Sequence, residues 1–261
     1  MKKIPLVGLV FGALIAPAVA ADMPLKAPVY TKAPPPALVF SWTGFYVGGN
    51  IGGLWSNSNI IYTANPGFFT SAALISSDGS PRLRSTSFTG GFQAGANWQT
   101  GALVIGLETD INAASVRNSA VVTRGAVPGL PSGYTVSESV NSNWLFTLRP
   151  RAGVAFDRVL LYATGGLAVA NNNFTQSSVF PDCPCGITGS ASGTKTGWTL
   201  GGGLEWAFAP AWSMKVEYLY VDLGTQSFAD NLGAFGFPTA SFTHQERLTE
   251  NIGRVGVNYR F

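Results

Sequence analysis

The chain has 261 residues, 46% of them hydrophobic and only 11% charged, against roughly 25% charged in soluble domains. Sixteen basic residues oppose thirteen acidic ones, a formal charge of +3 that falls close to neutrality without Lys2 and Lys3; with no basic stripe either, nucleic acid is excluded as a partner. Mean hydropathy is +0.21, yet beyond the first twenty residues no apolar run is long enough for a membrane-spanning helix.

Lys2 and Lys3 precede an apolar run over 4–19 that Pro5, Gly8, Gly12 and Pro17 interrupt. Ala18-Val19-Ala20 then supplies an Ala-x-Ala cleavage site. Residues 1–20 read as a signal peptide, and no Cys stands at the cut to make a lipoprotein. Residues 21–41 carry Pro24, Pro28 and Pro34-Pro35-Pro36 and read as an extended arm. An exported chain with high hydropathy and no spanning helix satisfies its backbone in a bilayer only as a closed barrel.

The remainder, 42–261, divides into eight predicted strands at 42–56, 85–99, 103–115, 142–156, 158–174, 194–209, 212–224 and 250–261. Each covers the roughly 9–11 residues that a transmembrane strand needs. Connections at 100–102, 157 and 210–211 are tight turns. Those at 57–84, 116–141, 175–193 and 225–249 are long and polar, so short and long connections alternate. That pattern predicts an all-β, eight-stranded antiparallel up-and-down transmembrane β-barrel in the bacterial outer membrane, with a periplasmic arm and long extracellular loops.

Alternation along the strands agrees. Leu103, Ile105 and Leu107 oppose Glu108 and Asp110. Trp144, Phe146, Leu148, Val154 and Phe156 oppose Thr147, Arg149 and Arg151. Trp198, Leu200, Leu204, Trp206 and Phe208 oppose Thr199 and Glu205, while Met214, Val216, Tyr218 and Tyr220 oppose Lys215 and Glu217. Trp42, Trp98, Trp206, Tyr259 and Phe261 fall towards one rim; Trp55, Trp144, Trp198 and Tyr220 fall towards the other. The inward ionic set is Glu108, Asp110, Arg149, Arg151, Glu205, Lys215, Glu217, Arg254 and Arg260. Its near balance of sign predicts a network of paired charges that plugs the lumen. Val257, Tyr259 and Phe261 form the aromatic, alternating terminus by which barrel assembly machinery recognises its substrates.

Catalytic chemistry is sparse. His244, with Asp230 and Glu246 as conceivable partners, reads as a solvated loop histidine, and no phosphate-cradling loop is present, so no enzyme is expected. His244, Tyr62 and Tyr134 could serve as haem ligands but form no recognisable spacing, and no cofactor is expected. Cys183 and Cys185 flank Pro184; they fit a local disulfide closing a small ring, and without a nearby His or further Cys they are weak support for a metal site. Arg82, Arg84, Arg117 and Arg124, in or beside outer loops, could pair with lipopolysaccharide phosphates or simply be solvated. The loops also carry apolar anchors at Phe68, Phe69, Phe180, Phe235 and Phe237.

The segments Trp42-Thr43-Gly44-Phe45-Tyr46-Val47-Gly48-Gly49-Asn50 and Leu161-Tyr162-Ala163-Thr164-Gly165-Gly166-Leu167-Ala168 point to a known family. So do Val216-Glu217-Tyr218-Leu219-Tyr220-Val221-Asp222-Leu223-Gly224 and Val255-Gly256-Val257-Asn258-Tyr259-Arg260-Phe261. Together they resemble the RopB-like, porin-family small outer-membrane β-barrels of alphaproteobacteria, distant relatives of the OmpA transmembrane domain. The resemblance implies a structural protein in contact with outer-membrane lipid and lipopolysaccharide, serving envelope integrity and surface interaction. It leaves a small-solute porin and a haem-binding or adhesin protein as alternatives.

Overall fold

The computed structural model describes residues 40–65, 70–183 and 185–261; the signal peptide, nearly all of the arm, and Phe68 and Phe69 lie outside them. Eight strands run in order: β1 (Gly44–Ala64), β2 (Arg82–Thr100), β3 (Leu103–Arg124), β4 (Tyr134–Phe156), β5 (Val159–Phe180), β6 (Cys185–Trp206), β7 (Trp212–Leu232) and β8 (Phe237–Arg260). Each pairs antiparallel with its sequence neighbour, and β8 closes on β1 from Tyr46↔Arg260 to Ala64↔Phe242. The all-β, up-and-down barrel stands.

Turn chemistry sets the periplasmic end. Gly101 (φ 61°) and Asp157 (φ 54°) adopt the left-handed backbone at the β2–β3 and β4–β5 turns. Glycine takes that conformation without strain, and aspartate tolerates it better than most residues. Ala209 and Trp212 exchange backbone hydrogen bonds across the third turn.

A lipid-facing belt of exposed apolar side chains marks the membrane zone. It includes Phe45, Val47 and Ile51 on β1, Phe88 and Phe92 on β2, Leu103 to Ile111 on β3, Leu200 and Leu204 on β6, and Val255 and Val257 on β8. Tyr259 and Phe261 lie on the same face at its lower edge, with Phe261 77% exposed. Trp55, Trp144 and Trp198 sit near its upper edge, one rim of the expected pair.

The long outer loops are the main correction. Most of their residues belong to strands that continue well past the membrane, and the true connections shrink to 65–81, 125–133, 181–184 and 233–236. The first of these holds a short helix, α1 (Ala72–Asp78). Polar outer faces rich in Asn, Ser and Thr disguised these extensions as loops.

Above the rim the wall divides. The β2–β3 ladder stops at Thr89↔Ala114, and the β6–β7 ladder stops at Trp198↔Asp222. Every other ladder continues: β1–β2 to Asn59↔Arg82, β3–β4 to Arg124↔Tyr134, β5–β6 to Phe180↔Cys185 and β7–β8 to Leu232↔Phe237. Two sheets result, β7-β8-β1-β2 and β3-β4-β5-β6, separated by two seams. Hydrocarbon forbids an open strand edge, whereas water solvates one, so the ring need stay closed only within the membrane. Register shifts between Ala113 and Val116, Asn141 and Leu145, and Asp222 and Thr225 fall at this transition, where bulges bend and twist the strands.

A closed membrane ring with this lipid face should migrate anomalously on gels until boiled and should fractionate with outer membranes. Identical mobility before and after heating, with protein in the soluble periplasm, would contradict the closure.

Candidate functional site

The inward faces of the strands fill the lumen in layers. At the periplasmic mouth, Trp42 is fully buried against Val104, Leu160, Tyr162 and Ala207. Its Nε1 donates to the Asp157 carbonyl at 3.1 Å, and its backbone N–H donates to Gln99 Oε1 at 2.7 Å. Trp42 is therefore a cork rather than the lipid-facing rim residue that alternation suggested. Arg260 is the second correction. It lies below the lumen, its guanidinium 4.3 Å from the Phe40 ring centroid and donating to the Ser41 and Pro210 carbonyls, so it closes the mouth and, among the described residues, makes no direct ion pair with the network. Its position on β8 is of inward parity, but the lumen ends one step earlier.

The other eight residues of the inward ionic set converge in the layer above. Arg149 Nη2 reaches Glu108 Oε1 at 2.6 Å and Asp110 Oδ2 at 2.7 Å, while its Nη1 reaches Glu217 Oε1 at 3.1 Å. Arg254 bridges Glu217 and Asp110, and Lys215 Nζ donates to both oxygens of Glu108 at 2.7 Å. Arg151 Nη2 donates to Glu205 at 2.7 Å and lies between the rings of Tyr46 and Tyr162, 5.4 and 4.4 Å from their centroids. The Tyr46 and Tyr162 hydroxyls donate to Glu108 and Glu217. Sequence reading missed these two tyrosines; their inward parity opposite Gly95 and Gly203 was the available signal. A Cβ at either glycine would collide with the phenol end of the ring it faces. Four acids meet four bases, all buried, so each formal charge has an opposite partner in a site closed to water.

An apolar layer of Leu54, Leu145, Leu219, Leu248 and Ile252 covers the network. Above the rim, Ile60 and Leu83 of one sheet then pack on Val140 and Phe174 of the other. The top is sealed by Tyr62, Ile75, Leu130, Tyr134, Val136, Phe180, Ile187 and Phe242, which join both sheets to α1. Each such side chain stabilises the cap by about 1.5–3 kcal/mol through burial. The Arg124 guanidinium donates to both oxygens of Asp78, at 2.6 and 2.8 Å, and the Tyr134 hydroxyl donates to Asp78 at 2.7 Å. These bonds to Arg124 and Tyr134 hold the Asp78 carboxyl below its usual range. Arg124 is thus engaged as a pin and is not a free loop cation. Cys183 and Cys185 are joined by a disulfide at the tip, their Cα atoms 5.0 Å apart.

His244, expected in a solvated loop, is buried on β8. It stacks between Tyr62 and Phe228 at centroid distances of 4.8 and 4.4 Å, with Asp230 3.4 Å away. Burial pushes its imidazole down to about 4. Tyr62 bonds to Ser178, and Tyr134 to Asp78. The three conceivable haem ligands are thus buried in the cap, the two tyrosine hydroxyls hydrogen-bonded and the His244 ring packed between aromatic neighbours. Nearby, neither carboxylate oxygen of Glu138 has a donor, and burial raises its carboxyl to about 8. Glu246 accepts from Asn172 at 2.8 Å and is raised to about 7, again by burial.

The outer membrane protein beta-barrel domain model matches residues 11–261. The chain belongs to that family. The 31 kDa outer-membrane immunogenic protein of Brucella melitensis is 33% identical over 246 residues, 94% of this chain and 93% of that protein. The 22 kDa outer membrane protein of Rhizobium leguminosarum bv. viciae is 26% identical over 224 residues, 85% of this chain and 79% of that protein. Among solved structures, the outer membrane protease OmpT of Escherichia coli aligns over 87% of this chain and 99% of its own, with 9% identity and a TM-score of 0.47. Family membership places this barrel in the bacterial outer membrane as a structural protein.

Two predictions concern the layers. Arg149→Ala leaves Glu108, Asp110 and Glu217 short of a buried counter-charge and should cost about 3–5 kcal/mol in urea-unfolding stability. A loss no larger than that of an exposed Arg control would show that the network contributes little. The cap should also respond to pH. Glu138 has a folded pKa above its ordinary value of 4.5, so it destabilises the cap as pH rises from that value, fully above about 8. His244 has the opposite sense for a base, and its stabilisation is lost as pH falls from 6.5 through about 4. Protection of the Val136–Val140 amides, taken relative to base-catalysed exchange of the unfolded chain, should therefore be weaker at pH 9 than at pH 6, and Glu138→Gln should shrink that difference, leaving the smaller part due to Glu246. A mutant that kept the full difference would rule out Glu138 as the cause.

Proposed function

We propose that the protein acts as a closed, non-conducting barrel that anchors an extracellular two-sheet cap for envelope integrity and surface contact. The observation that carries this reading is the continuous filling of the lumen. A periplasmic cork, a salt-bridged layer, a leucine-rich layer and the packed cap succeed one another along the strands. An eight-stranded interior is just wide enough for its own side chains, which leaves no path for a small solute. The porin alternative is accordingly not favoured.

The same burial argues against catalysis and haem binding. His244 is enclosed between aromatic rings, and a general base must reach the proton it abstracts. Surface contact falls instead to the cap's outer faces and to its tip, where Asp182 accepts from the Ser132 N–H beside the disulfide. Among its relatives, the Brucella protein is named as immunogenic, in keeping with an exposed cap.

Purified protein in planar bilayers should show little or no steady conductance. Arg149→Ala should permit small openings by loosening the plug. Large, uniform, ion-selective steps from the unmodified protein would overturn the closed-barrel reading. Shortening the tip at 125–133 to a tight turn tests the cap separately: with heat-modifiable folding retained, cell adhesion or envelope integrity should decline. If neither changes in any such trimmed variant, the cap is passive.

A further inference from the structure

We infer that the seam between β2 and β3 is a binding site for the phosphate groups of lipopolysaccharide, the phosphorylated glycolipid of the outer leaflet. The inference rests on the placement in the outer membrane and is independent of what the cap contacts. Three arginines flank the seam. Arg82 and Arg84 lie on the outer face of β2, Arg117 lies on the outer face of β3, and all three are exposed. Arg124, at the top of the same seam, is spent on Asp78, but among the described residues these three have no carboxylate partner. The other outward arginine of the upper barrel, Arg247, is paired with Asp222. Among the described residues, three unpaired arginines of the upper barrel thus gather at one seam, while Lys195 of β6 lies at the other.

Its height fits a lipid headgroup. Thr86 pairs with the rim residue Trp55, and Arg84 pairs with Asn57 one outward step higher, a rise of about 7 Å. Arg117 pairs with Asn141, three residues along β4 from the rim residue Trp144. The β2–β3 ladder ends at Thr89↔Ala114, so the backbone of Arg82–Phe88 and that of Val116–Arg124 present strand edges to the gap without pairing with each other. Forked guanidinium donors beside unpaired backbone N–H groups are a suitable surround for a phosphate dianion.

Acyl chains have an apolar surface below Arg82 and Arg84 on the outer face of β2 and on the strands beyond it. Phe88 is 90% exposed just under the arginines. On the flank of β2 away from β3 it borders a shallow groove of about 860 Å³ on the lipid face, shared with Ile51 of β1, Val255 of β8, Val216 and Tyr218 of β7 and Leu204 of β6 and floored in part by Gly253. A ligand with phosphates above and several hydrocarbon chains beneath satisfies both parts. Free phosphate satisfies only the first, and an uncharged lipid only the second.

The test uses the full protein in mild detergent, with the triple variant Arg82→Gln/Arg84→Gln/Arg117→Gln, an Arg→Lys version of the same three, and Lys195→Gln as a distant cation control. Binding of lipopolysaccharide is followed by native mass spectrometry and by fluorescence of the rim tryptophans. Wild type and Lys195→Gln should bind alike, the Gln triple at least about tenfold more weakly, and the Lys triple in between, given the strength of charged hydrogen bonds. Dephosphorylated lipopolysaccharide should bind wild type as poorly as intact lipopolysaccharide binds the Gln triple. Millimolar inorganic phosphate should fail to compete. Equal binding by wild type and the Gln triple, or undiminished binding of the dephosphorylated glycolipid, overturns the site. Competition by free phosphate alone would assign the arginines to a soluble anion and equally refute a lipid site. Heat-modifiable mobility of each variant separates these results from failure to fold.

Discussion

Backbone hydrogen bonding inside a medium without water governs this molecule. Every N–H and C=O in the hydrocarbon zone must find a partner in a neighbouring strand, and eight strands can do so only by closing. Closure at eight fixes a narrow interior, and a narrow interior decides what inward residues can be. Large neutral chains, matched charges and glycines opposite rings fit; an unpaired ion does not. The Arg149–Glu108–Asp110–Glu217 cluster and the glycines facing Tyr46 and Tyr162 are consequences of that geometry as much as of any selection for function.

Once the strands leave the membrane, the constraint lifts, and the architecture changes at the same level. The two ladders that stop do so near the upper aromatic rim, at Thr89 and Trp198, and bulges cluster there. Freed from closure, the sheets move together over a shared core drawn from both, and the packing of Ile60 and Leu83 against Val140 and Phe174 replaces continuous backbone pairing as the source of cohesion. Side chains tie the seams instead: Arg124 to Asp78 at one, and Gln226 Nε2 to the Ala191 carbonyl at the other.

The membrane zone was legible in the sequence because two signals reinforce each other there. Alternation along each strand and alternating connection lengths both follow from lipid outside and a packed lumen inside, so strand number, order and facing could be read directly. The extramembrane half lacked the first signal. Its outer faces carry Asn57, Asn59, Ser119, Thr123 and Thr175 where lipid would demand Val or Phe, and its inner faces mix Tyr62, Glu138 and Gln176 with apolar residues. With polar residues on both sides, the period of two faded and strand read as loop. His244 was misplaced for that reason. Trp42 and Arg260 were misjudged for another: parity gives a direction, but it does not tell where the lumen ends.

The salt-bridged layer lies between two dry ones, the Trp42 cork below and the Leu54–Leu145–Leu219 layer above. Mobile ions that would screen its charges have no access to it, although they reach the exposed guanidinium of Arg124 freely. The two sets of ion pairs therefore respond differently to the electrolyte around the cell. A shift from dilute to concentrated surroundings weakens the pin at the cap's edge and leaves the lumen's cohesion almost unchanged. The part of the protein exposed to a variable environment is the part whose electrostatics vary with it, while the portion that must hold the membrane closed is insulated from the same change.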